Sequence, residues 1–259
     1  METRRYYSLG EEYQGIKARA TKKLGEYIGD SSLVEFQDDD KKVIFTTERL
    51  SPIESTKRPH VMLLFSNPHP HSIQQGMFLS PNTKKRENLF WPCMRNAHWF
   101  SVAESERRPD QLKNIFLEVK YASPFELHFY CYYAFPTTLP SHIRAIFGER
   151  FFSQTIEPEA GADFRNTLKE ASIKAIVCFN KDIFNLVSGG RIERYIKELD
   201  NRRLVESRIK DIDEQIPIFL TYPTGWHFHE NIMELRKVSL EKAMVAILDR
   251  LKPDVDQNT

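Results

Sequence analysis

An uninterrupted apolar run, Val61-Met62-Leu63-Leu64-Phe65, empties into Ser66-Asn67-Pro68-His69-Pro70-His71-Ser72. Five apolar residues in succession suit a strand buried on both faces, as in a parallel sheet covered by helices. The Asn/Pro/His/Ser cluster behind them cannot continue a hydrogen-bonded ladder, so the strand must stop near Phe65. Ligands of open parallel sheets bind beyond the carboxyl ends of the strands. Asn67 and its neighbours are therefore candidate functional groups by position alone.

Three more apolar runs, near residues 127–134, 174–179 and 216–222, read the same way. The second of these four strands is aromatic-rich and closed by Pro136, and the last is broken by Pro223-Thr224-Gly225. Helical spacing over 89–97, 160–172 and 230–251 alternates with the strands. This order predicts a three-layer α/β/α sandwich around a central, mostly parallel four-stranded sheet, with the loops at Asn67 and Pro223 on the same sheet edge. A helix over 9–28 and a hairpin from 33–36 and 43–45 are expected to extend the domain at its N-terminus, over about residues 1–58. The expectation is one domain over 1–259. The charged stretch 192–213 reads as a protruding helix with a solvated face.

The composition bounds what such a domain does. With 259 residues, 41% hydrophobic and 12% aromatic, the chain buries a sizeable core. Lys and Arg number 37 against 36 Asp and Glu, a net charge of +1, which excludes a uniformly basic surface while leaving local patches open. Cys93, Cys131 and Cys178 are too few and too dispersed for a disulfide framework, a zinc ribbon or a four-thiolate cluster, and read as buried reduced thiols. No apolar leader and no run of membrane-spanning length is visible. The expectation is a cytoplasmic monomer with no cofactor and no membrane partner.

Ser66-Asn67-Pro68, Gly76-Met77-Phe78-Leu79-Ser80 and Asn88-Leu89-Phe90-Trp91 together resemble the first motif of the uracil-DNA glycosylase superfamily. The match is closest to the mismatch-specific uracil/thymine branch, where a strand ends in Gly-Ile-Asn-Pro-Gly and a helix later starts with Asn-His-Phe-Trp. Tyr222-Pro223-Thr224-Gly225-Trp226 is similar to that branch's second motif, Asn-Pro-Ser-Gly-Leu. The resemblance implies a uracil-DNA glycosylase-like fold. It also implies a role in DNA repair by base excision, in which uracil or another damaged or mismatched base is removed from single- or double-stranded DNA by hydrolysis of the N-glycosidic bond. Asn67 falls where the branch has the amide that positions the attacking water. Phe78 matches the aromatic that stacks on the extruded base, and Trp226 sits where a Leu wedge fills the vacated stack. Ser66, Pro68, His69, Pro223, Thr224 and Gly225 would complete the base and DNA contacts. Tyr222 replaces the family's His or Asn as the group beside the leaving base, and residues 134–138 lack the amide that reads uracil in the main branch. An amide orients water without deprotonating it, which implies slow chemistry.

Two other readings stand beside this one. A non-catalytic member of the same fold would bind nucleic acid or a nucleobase through the same crevice. A metal-dependent hydrolase would use His69, His71, His227 and His229, because residues two apart in extended chain point to one side.

Overall fold

The computed structural model describes residues 2–29, 31–80, 87–212, 214–223 and 231–251. Strands β1 (Glu2–Ser8), β2 (Val34–Gln37) and β3 (Lys42–Glu48) form an antiparallel sheet in the order β1-β3-β2. The β2–β3 pair is the expected hairpin, turning over the polar residues 38–41. β1 was not foreseen, because Arg4, Arg5 and Tyr6 mask its alternation. Between β1 and β2 runs α1 (Tyr13–Tyr27), which buries Tyr13, Ile16 and Ala20. This unit shares its core with the main domain, since Tyr7 meets Phe147 edge-on at 5.6 Å and Phe45 meets Phe135 at 5.0 Å.

The main sheet contains the four expected parallel strands, β4 (His60–Phe65), β5 (Glu126–Cys131), β6 (Ala175–Cys178) and β8 (Pro217–Leu220). A fifth, antiparallel strand, β7 (Val205–Arg208), gives the order β5-β4-β6-β8-β7. The expectation of four strands is corrected here, together with that of one helix over 192–213. Helix α9 (Ile192–Asp200) ends in a tight reversal, with Arg202 at φ 55° and Arg203 N–H donating to the Glu198 carbonyl. The chain then returns as β7 along β8. Charge dominates this stretch in sequence, but Val205 and Ile209 are buried and hold it to the sheet.

Alternation along the strands separates two cores. Met62, Leu64, Ile176 and Leu220 face α5 (Pro140–Phe147), α7 (Glu157–Glu170) and α8 (Lys181–Ser188). Val61, Leu63, Phe65, Val177 and Phe219 face α3 (Phe90–Asn96), α4 (Pro109–Leu117) and α10 (Ile232–Leu251). The result is a three-layer α/β fold. Val61 to Leu64 are 0% exposed, as expected of a strand covered on both sides. Helix α4 lies in a stretch to which the sequence assigned no element. Its spaced Leu112, Ile115 and Phe116 carried the missed signal. The short helices α2 (Pro70–Gln75) and α6 (Glu149–Phe151) complete the set, with a π-turn over Phe152–Ile156 joining α6 to α7.

β4 is the first strand of this sheet in the chain and lies between β5 and β6. The connection to β5 runs through α3 and α4 on one face, and that from β5 to β6 through α5 to α7 on the other. The carboxyl end of β4 is therefore the topological switch point, where opposite crossovers open a crevice. No helix among the described residues is long and apolar enough to cross a membrane.

Candidate functional site

A cavity of about 460 Å³ lies beyond the carboxyl ends of the parallel strands, within the range of small-molecule sites. Phe65 from β4, Phe78 after α2 and Phe179 after β6 form its apolar wall. The Phe65 ring stacks on Phe179 at 5.0 Å and meets Phe78 at 5.7 Å. The polar groups of the wall include Ser66, Asn67, His69, Thr137, Thr138 and Asn180. Pro223 closes the side nearest β8.

Backbone bonds zip the loops after β4 and β5 together. Tyr132 N–H donates to the Phe65 carbonyl, Tyr133 N–H to Ser66 and Thr137 N–H to Pro68. The Asn67 side chain completes this cross-link, with Nδ2 donating to the Thr137 carbonyl at 2.6 Å and lying 3.1 Å from its hydroxyl. Its Oδ1 accepts from Ser66 Oγ at 3.0 Å. An amide oxygen has two lone pairs, so the second can accept from a water or ligand. The donors of Asn67 are structural, and its acceptor keeps a lone pair beyond the bond from Ser66.

His69 caps α2, its Nδ1 accepting from His71 N–H at 3.2 Å. That bond requires an unprotonated Nδ1, in keeping with a pKa held below the ordinary histidine value by desolvation first and by nearby His71 second. Pro70 begins the helix, so only His69 is extended and His71 lies in α2. The extended geometry that would turn both imidazoles of a His-x-His pair to one side is absent there, because Pro70 and His71 form the first turn of α2. Among the described residues no group of three or more metal-ligating side chains converges. His227 and His229 lie outside the described residues, as do Thr224, Gly225 and Trp226.

Gly76 ends α2 at φ 70°, a conformation open to glycine, and returns Met77 and Phe78 beneath the loop. Leu79 follows at φ 50°, an uncommon conformation for a branched side chain, and forms part of the cavity lip. Trp91 Nε1 donates to the Leu79 carbonyl at 3.0 Å and holds that turn. Phe78 is 3% exposed, so it is at once core and cavity wall.

Tyr222 does not join this group. Strand alternation turns its side chain to the opposite face, where its hydroxyl donates to Asp200 Oδ1 at 2.9 Å. Burial first, and Asp200 second, push that phenol far above its ordinary pKa. The expectation that Tyr222 faces the reacting centre is corrected by this register. Pro223, by contrast, lines the cavity, and its carbonyl accepts from Arg236 Nη2. Arg236 on α10 is fully buried, and no carboxylate pairs with it among the described residues. It anchors the start of the second loop.

Sequence reasoning missed Glu48, Thr137 and Asn180. Thr137 stands in the stretch noted for lacking an amide, and Asn180 caps α8 by accepting from Ile183 N–H. Compared with known proteins, the sequence matches no family model and no curated protein.

Proposed function

We propose that this chain is a uracil-DNA glycosylase-like enzyme that hydrolyses the N-glycosidic bond of uracil or another damaged or mismatched base in DNA. One observation carries the reading: the Ser66-Asn67-Pro68 loop leaves the sheet at its switch point and borders a cavity walled by Phe65, Phe78 and Phe179. A flat apolar wall opposite amide and hydroxyl groups suits an extruded base, which needs stacking on its faces and hydrogen bonds at its edge. Asn67 Oδ1 then orients a water at the sugar, while Thr137 and Asn180 border the base. At the cavity lip Leu139 is 54% exposed. It is an apolar group placed to enter a vacated base stack, the role the resemblance gives to Trp226.

The test is incubation with single- and double-stranded oligonucleotides carrying uracil or other lesions, with alkaline cleavage of abasic strands as the readout. The expected result is Asn67-dependent base release. Absence of both release and preferential binding across several lesions overturns the proposal.

A second reading, a non-catalytic nucleobase-binding module, is favoured by the position of Tyr222, whose hydroxyl is bonded to Asp200 and not turned to the cavity. Lesion-selective binding without release decides for it.

A further inference from the structure

The path of the chain beyond β3 reaches the main sheet. Leu50 N–H donates to the Phe129 carbonyl at 3.2 Å and Phe129 N–H to the Leu50 carbonyl at 2.8 Å, an antiparallel bridge on the free edge of β5. Two residues back from Leu50 is Glu48, and two residues on from Phe129 is Cys131. Antiparallel register therefore brings Glu48 to Cys131, at the carboxyl end of β5. The electrostatics agree: the Cys131 thiol is pushed well above its ordinary pKa by burial first and by the charge of Glu48 second. Side chains two apart share a face, and Leu50 packs with Phe65 and Phe129 on the face that carries Phe78.

Glu48 thus reaches the cavity from the N-terminal sheet. It is 8% exposed, and it is the one acidic side chain among the described residues of the lining, which include no Lys or Arg. On its outer side a small cleft brings Arg49, Lys113 and Phe78 near it. A carboxylate that lines a cavity together with an amide and hydroxyl groups is placed for proton transfer to or from a bound molecule.

We infer that Glu48 is the catalytic proton acceptor of this site, an inference that rests on the base-releasing reading above. Water held by Asn67 Oδ1 attacks the anomeric carbon of the sugar. A C–O bond forms as the C–N bond to the base breaks, and the bonding pair leaves with the base. The water's proton passes to Glu48, which later releases it to solvent or to the departed base anion, so the net reaction is hydrolysis. Before the proton moves, the same carboxylate stabilises the positive charge that develops on the sugar. An asparagine supplies neither function.

The experiment compares wild type, Glu48→Gln and Glu48→Ala in single-turnover release of uracil. It also measures binding of two abasic-site analogues, a neutral tetrahydrofuran and a cationic pyrrolidine. Glu48→Gln is expected to slow release by about a hundredfold or more and to abolish a wild-type preference for the cationic analogue. Binding of the neutral analogue should stay within a few fold, which shows that the variant is folded. Formate should restore part of the rate to Glu48→Ala and none to Asn67→Ala. If wild type releases uracil and Glu48→Gln matches it, the inference is overturned and the base-releasing reading stands. If wild type neither releases base nor binds either analogue, both fall.

Discussion

Asn67 Nδ2 and the Thr137 carbonyl oxygen are 2.6 Å apart, a bond that ties the loop after β4 to the loop after β5. The side chain proposed to orient a water is also the cross-link that shapes the crevice. Substitutions at Asn67 therefore report on stability and chemistry together.

Asn67→Ala is expected to lower base release by about a hundredfold or more and to destabilise the protein by roughly 1–3 kcal/mol, because the Thr137 carbonyl loses its donor. Asn67→Asp should do no better. It sets a carboxylate oxygen against that carbonyl, so it is expected to destabilise more than Ala and to leave the rate depressed. Urea midpoints and single-turnover rates check both. An Asp variant that is stable and faster than wild type would falsify the placement of the Asn67 donors.

Tyr222→Phe removes the bond to Asp200 and, on this geometry, nothing from the cavity. The expected loss is about 1 kcal/mol of stability, with base release changed less than about twofold. A large fall in rate at unchanged stability would return Tyr222 to the reacting centre.

Leu139→Ala truncates an apolar side chain that stands exposed at the cavity lip. In a base-extruding enzyme, filling the duplex gap matters only where there is a duplex. Activity on double-stranded substrate should fall at least several-fold more than on single strands. An equal effect on both would assign Leu139 to the cavity wall alone.

The pH dependence of stability should carry the mark of His128. This ring is 4% exposed, with Nε2 3.2 Å from His60 Nδ1, and its pKa falls from 6.5 to about 3 through burial first, then His60 and Arg49. Glu126, fully buried, faces His60 in turn at 3.2 Å. A lowered folded-state pKa means that the unfolded chain binds the extra proton. The stability is therefore fully present above 6.5 and is lost as pH falls from there towards about 3. Between pH 7 and pH 5 the expected loss from this group is about 2 kcal/mol, and His128→Leu should remove it. Urea unfolding at the two pH values measures the difference; equal slopes for wild type and variant would show that His128 titrates normally.

The residues 60–80 show what local sequence determines. Val61 to Phe65 declare a doubly covered strand because no polar side chain interrupts them, and Asn67-Pro68 must end it because proline cannot donate to a ladder. Four parallel strands, the hairpin of β2 and β3 and the closing helix α10 follow from the same kind of local pattern. Tertiary structure decided what periodicity does not encode. Tyr222 precedes Pro223, which lines the cavity, yet its own side chain packs in the core on the other face of the sheet. Val205 joins the sheet as part of β7 only because α9 reverses at Arg202. Glu48 reads as one more charge at a strand end, and it enters the cavity wall only because Leu50 bridges to Phe129, a pairing between distant residues. Local runs and breakers are set by neighbouring residues, whereas the face a side chain occupies and the strand it lies beside depend on long-range register, which no short window of sequence contains.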